Sequence, residues 1–146
     1  MTNGTFEKVQ HTDSPMYGPL KLILCGFPAA AQDKFGLVLE MSGLRDVPVI
    51  WANETHQAAT LADLLALPAG SGKGSDSTLP RAVIVSGITE NQLHVLMTTC
   101  RKTGMQPALW AALTPTSETW PLSGLLGELQ AEQKALAKRR KNKPAG

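Results

Sequence analysis

Any chemistry in this chain rests on a few hydroxyls and glycines that follow apolar runs. Val83-Ile84-Val85 is followed by Ser86, Gly87 and, after Ile88, by Thr89. A Gly between a strand and a helix leaves backbone N–H groups free at the helix start, where they can hold a phosphate or carboxylate. Gly26 follows Leu22-Ile23-Leu24-Cys25 in the same way. Ser86, Gly87 and Thr89 are the better-equipped set. Thr114, Thr116 and Ser117 follow a second apolar run and would face them across neighbouring strand ends, where ligands of α/β sheets collect. With Gly26, these six residues are the candidate ligand-binding set, suited to an anionic metabolite. Each also has a local use: Gly makes the turn, Thr89 caps a helix, and Thr-Pro-Thr orders a loop.

Other arrangements are weaker. Lys73 sits in Gly70-Ser71-Gly72-Lys73-Gly74-Ser75, but Leu67 stands where a phosphate loop needs its first Gly and Gly74 where it needs Ser or Thr. Cys25 ends a strand beside a helix start, a place that favours a thiolate, yet no His or cation is implied nearby. Cys100 falls on an apolar stripe. His11, His56 and His94 have no metal-ligand spacing. No nucleophile–base pair or acid–base pair is visible, so no catalytic residue, metal or cofactor is assigned.

Charge is divided along the chain. The net charge of +2 is the balance of two unlike parts. Residues 1–133 hold eight Lys/Arg against all twelve Asp/Glu, and residues 134–146 hold six basic residues and no acid. A basic tail on an acidic body suits an anionic partner such as RNA or DNA. Lys138, Arg139, Arg140 and Lys141 are its candidate contacts, although no aromatic residue is present there for base stacking. Trp51 and Trp110 fall at matching places on two predicted strands, which points to packing. Trp120, just before a helix, either staples its start or forms a patch for a protein partner.

The elements that must position these residues occur twice. Leu22-Ile23-Leu24-Cys25-Gly26-Phe27 is matched sixty-one residues later by Val83-Ile84-Val85-Ser86-Gly87-Ile88. Gly43 matches Gly104 at the same spacing, and Leu61, Leu64 and Leu65 match Leu122, Leu125 and Leu126. Pro48-Val49-Ile50-Trp51-Ala52 matches Pro107-Ala108-Leu109-Trp110-Ala111 at fifty-nine, a two-residue slip. The pattern predicts a duplicated β-α-β-α unit over 19–68 and 81–133. A polar arm (1–18) precedes it, a Gly/Ser linker that reads as flexible (69–80) joins the halves, and the basic tail (134–146) follows. Each unit has strands over 20–25 and 47–52, or 82–86 and 107–113. Thr89 and Gln92 form a capping box, and Leu93, Leu96, Met97 and Cys100 make one helical stripe. The fold class is α/β: a four-stranded sheet packed against helices. Because a ~60-residue unit is marginal alone, the halves should share one core about a pseudo-twofold axis, as a monomer or in a dimer.

The second unit resembles a small bacterial family known only as domain of unknown function number 3783. Residues 81–133 carry the resemblance, above all Leu113-Thr114-Pro115-Thr116 followed by Trp120 and the Leu125-Leu126 helix. The first unit has Asn53-Glu54-Thr55 and Ala59 in those places. The resemblance implies the fold and no activity. No apolar run approaches the ~20 residues of a membrane span, and the first eighteen residues carry no leader pattern, so a cytoplasmic protein is expected. The functional expectation is a non-catalytic binding or regulatory module with a protein partner. Its alternatives are nucleic-acid association through the tail and anionic-metabolite binding at Gly26 and Gly87.

Overall fold

The computed structural model describes residues 13–142, with side chains to residue 140; Lys141 lies in the last helix without a described side chain, and residues 1–12 and 143–146 lie outside. The first half runs β1 (Lys21–Cys25), α1 (Ala29–Met41), β2 (Val49–Ala52), a 3-10 turn (Glu54–His56) and α2 (Leu61–Leu65). The second half repeats that order: β3 (Ala82–Ser86), α3 (Glu90–Lys102), β4 (Leu109–Ala112), a 3-10 turn (Ser117–Thr119) and α4 (Leu122–Asn142). Among the described residues the strands form one four-stranded sheet in the order β2-β1-β3-β4. Each half contributes a parallel pair, and the two pairs meet antiparallel at β1 and β3.

The strands are apolar at nearly every position because helices cover both faces. Leu22, Leu24, Trp51, Val83 and Val85 point to α1 and α3, where Phe35, Val38, Leu39 and Leu96 meet them. Ile23, Cys25, Ile50 and Ile84 point the other way, to Leu61, Leu64, Leu122 and Leu126 of α2 and α4. Strand side chains alternate faces, so one four-residue run serves both cores.

Register gives the two halves an internal axis. Ile23 pairs with Ile84 in the antiparallel ladder, and these residues stand sixty-one apart, the spacing of the sequence repeat. Thr60 and Pro121, also sixty-one apart, form an antiparallel bridge. Around it Leu61 N donates to Trp120 O at 3.0 Å and Leu122 N donates to Ala59 O at 2.9 Å. Equivalent residues thus meet each other at two places, as a pseudo-twofold arrangement requires.

One expected correspondence fails. The parallel register is the same in both halves: Ile23 pairs with Ile50, and Ile84 with Ala111. The structural equivalent of Trp51 is therefore Ala112, and that of Trp110 is Val49. The two-residue slip is real, and the indoles do not occupy matching places. Both still face the α1/α3 side, since a shift of two residues keeps the face of a strand.

The linker is also more ordered than its composition implies. Gly70 N donates to Val49 O and Trp51 N to Ser71 O, both at 2.8 Å, so this segment lies along the outer edge of β2. The buried Gln32 side chain holds it from the helix side, accepting from Gly74 N at 2.7 Å and donating to Ser75 O at 3.0 Å. Pro28 offers α1 no side-chain cap, and Asp76 Oδ1 accepts from Ala29 N at 2.7 Å in its place. Glu54 takes both the amide and the hydroxyl of Thr78. Gly and Ser suit this path because it hugs the sheet: a Cβ on Gly72 would strike the Trp51 carbonyl.

The halves end differently. Lys21 Nζ donates to the carbonyls of Leu65 and Leu67 at 2.8 and 2.6 Å, and Pro68 follows, so α2 stops after five residues. The equivalent of Lys21 is Ala82, which supplies no such donor, and α4 runs on for 21 residues. Residues 131–140 are exposed throughout.

Candidate functional site

The strand ends are occupied by the chain itself. Gly87 has φ +75°, and a Cβ there would lie 2.8 Å from both Gly18 O and Leu20 N. Its N–H donates to Tyr17 O at 3.3 Å, and Met16 N donates to Ile88 O at 2.8 Å. Residues 15–18 therefore lie across the end of β3. At Gly26, φ is +77° and a Cβ would lie 2.8 Å from Arg81 N. The Gly26 amide donates to Ser77 Oγ at 3.2 Å. Gly18 and Leu20 are the equivalents of Leu79 and Arg81. Each half thus lays the lead-in to its first strand over the strand-end glycine of the other half. These glycines are needed for close backbone approach.

Thr89, Thr114 and Ser117 are engaged locally. Thr89 Oγ1 accepts from Gln92 N at 3.0 Å, and Gln92 Oε1 accepts from Thr89 N at 2.8 Å, the expected capping box. Thr114 Oγ1 accepts from Ser117 N at 2.9 Å, while Ser117 Oγ accepts from Thr114 N at 3.0 Å. Thr116 is exposed, and its carbonyl accepts from Thr119 Oγ1 at 3.0 Å. Ser86 Oγ is buried without a hydrogen-bond partner among the described residues, but it lies against Gly18 and Leu113. The sheet does bring β3 and β4 ends together, with Leu113 N donating to Val85 O at 2.9 Å. Gly26 lies at the opposite end, because β1 and β3 are antiparallel, so it cannot share a site with Gly87. Trp120 is half-buried against the α2/α4 core, and its carbonyl serves Leu61. Lys138, Arg139 and Arg140 are exposed on α4, clear of the sheet.

Two features were not evident from the sequence. The first is an edge. In β2, Val49 O and Trp51 N point outward and are taken by the linker. Their equivalents in β4 are Trp110 O and Ala112 N, which have no partner among the described residues. All four β4 residues are half-buried and apolar.

The second is a cavity of about 230 Å³ between α3 and the start of β4. Phe27, Phe35, Val83, Met97, Cys100 and Trp110 form most of its apolar wall. It accounts for the partial exposure of Met97 and Cys100, which line it, while Leu96 of the same stripe is fully buried. Arg81 stands at its side, its guanidinium 4.2 Å from the Phe27 ring centre and its Nε donating to Gly26 O at 2.9 Å. Burial holds that guanidinium below its ordinary pKa. A Met/Cys stripe beside two cations, Arg81 and Arg101, is the only sequence trace of this cavity, and it reads equally as core.

Neither thiol is activated. Burial pushes Cys25 up to about 12. At Cys100 burial also raises the pKa, against the opposing fields of Arg101 and Arg81.

Residues 81–136 match the family model described as Domain of unknown function (DUF3783), which bears out the resemblance seen in Leu113-Thr114-Pro115-Thr116 and Trp120. No curated protein and no solved structure matches the chain. No helix among the described residues is long and apolar enough to cross a membrane.

Proposed function

Because the DUF3783 domain carried by residues 81–136 brings no assigned activity, we propose from the geometry that the chain is a non-catalytic protein-binding module. It takes an extended segment of a partner protein along the outer edge of β4. One observation carries this reading: residues 70–71 cover the edge of β2, while among the described residues nothing takes the equivalent groups on β4. Strand addition supplies affinity through main-chain bonds and selectivity through alternate side-chain contacts, here beside Trp110. A bare apolar edge is otherwise a liability that proteins blunt with charge, proline or a covering segment. The local engagement of the Thr89, Thr114 and Ser117 hydroxyls supports a role without turnover. Two free cysteines suit the reducing conditions of the cytoplasm, where we place it.

The test is to select binders from a library of unstructured peptides on the full chain, then follow amide hydrogen exchange. Selected peptides should protect the Trp110 and Ala112 amides and lose at least tenfold in affinity to Ala112→Pro, which removes an outward N–H and no β3 bond. Binders that leave both amides unprotected would overturn the reading. Concentration-dependent protection without peptide would identify a second copy as the occupant.

A second reading rests on α4, which holds Lys134, Lys138, Arg139 and Arg140 on a fully exposed helical stretch. Labelled RNA and DNA titrated with the full chain and with a chain ending at Gln133 decide it. Tail-dependent binding that survives physiological salt favours nucleic-acid association, with a steep fall as salt rises.

A further inference from the structure

We propose that the cavity between α3 and β4 binds a small molecule with a compact apolar body and one carboxylate, the carboxylate pairing with Arg81. The cavity, at about 230 Å³, is smaller than the ~300–1,000 Å³ of pockets for drug-sized ligands, which limits the body to one ring or a short branched chain. Its wall of aromatic rings and sulfur-bearing side chains matches such a body.

The charge argument is specific to this place. Arg81 is half-buried, with Nε on the Gly26 carbonyl and one face on Phe27. No hydrogen bond or ion pair to its two terminal nitrogens occurs among the described residues. A partly desolvated cation without a counter-ion is costly, and a planar fork with two free donors fits a carboxylate. Arg101 lines the same cavity, and Lys34 lines an adjoining pocket that shares Arg81, Met105 and Gln106 with it. No Asp or Glu lines either. Three cations without an acid stand out in residues 1–133, where acids outnumber bases twelve to eight. The first half has Leu20 in the place of Arg81, so this cation has no counterpart there.

Cys100 gives the site its own reporter. It lies in the wall and is partly accessible, whereas Cys25 is fully buried on the opposite face of the sheet.

The experiment uses the full chain with phenylacetate and isovalerate as probes and phenylacetamide as the uncharged control. Calorimetry should show both acids binding, with phenylacetamide at least tenfold weaker. Phenylacetate should slow alkylation of Cys100 by iodoacetamide, a readout that needs no variant. Arg81→Met should weaken phenylacetate at least tenfold, and Arg45→Met, which does not line the cavity, should not. Circular dichroism checks that each variant is folded. Absence of binding by both acids at 10 mM overturns the proposal. So does equal affinity for acid and amide, or binding that leaves Cys100 alkylation unchanged. These outcomes are separate from those of the β4 edge, which is read by amide protection.

Discussion

At the scale of single residues, Gly87 and Gly26 are set by contact between the two halves. Each has positive φ, and each faces backbone of the other half within 2.8 Å of where a Cβ would sit. Gly87→Ala adds left-handed strain of ~1–2 kcal/mol and an overpacking cost of ~1–3 kcal/mol. A loss of about 2–5 kcal/mol in urea unfolding is expected, and Gly43→Ala, with open space around its Cβ position, should lose only the strain. The thiols give a second check. Cys25 should resist Ellman's reagent in the folded protein while Cys100 reacts, and denaturant should release the second thiol. Because the folded pKa of Cys25 is raised from 9.0 to about 12, its stabilisation is complete below pH 9 and falls between those values. Cys25→Ala should flatten that part of the stability–pH curve.

Among the elements, the linker does the work of a cap and an edge guard. Asp76→Ala removes the side-chain cap of α1 and should cost ~1 kcal/mol, read as a lower urea midpoint with unchanged slope. α4 contrasts with it: a chain ending at Gln133 should keep its stability, since residues 131–140 are exposed. Elements built from local signals were legible in the sequence. The β3 run, the Thr89–Gln92 box and the Leu122–Leu125–Leu126 stripe all stand where periodicity and capping put them. The linker's path was not, because its hydrogen bonds use backbone groups and scattered polar side chains and leave no period to read. The shift of Trp110 against Trp51 was hidden for a related reason: a two-residue slip keeps the side-chain face, so only pairing reveals it. Gly26 stands apart from the other strand-end candidates because antiparallel pairing of β1 with β3, a non-local choice, sends Gly26 and Gly87 to opposite ends. The Arg81 cavity depends on that same choice, which brings Phe27 of one half beside Met97 and Cys100 of the other.

For the whole molecule, the halves are interdependent. Their cores are common on both faces of the sheet, and the axis runs through Ile23–Ile84 and Thr60–Pro121. Separate chains of residues 1–68 and 69–146 should each lack cooperative unfolding, and mixing them should restore it, as circular dichroism and thermal melting would show. Two independent cooperative transitions would contradict the shared core. Ile84→Ala, at the axis and fully buried, should cost ~2–5 kcal/mol and lower the stability of the whole sheet at once.

The reciprocal covering of Gly26 and Gly87 also sets a clock on biosynthesis. β1 cannot gain its antiparallel neighbour or its covering segment until residues 79–86 have left the ribosome. Residues 21–25 are made some sixty residues earlier, and at ~5–20 residues per second the wait is about 3–12 seconds. Residues 49–52 are made partway through that wait, so for its remainder β1 and β2 have each other and their own helices but lack the antiparallel partner that completes the sheet.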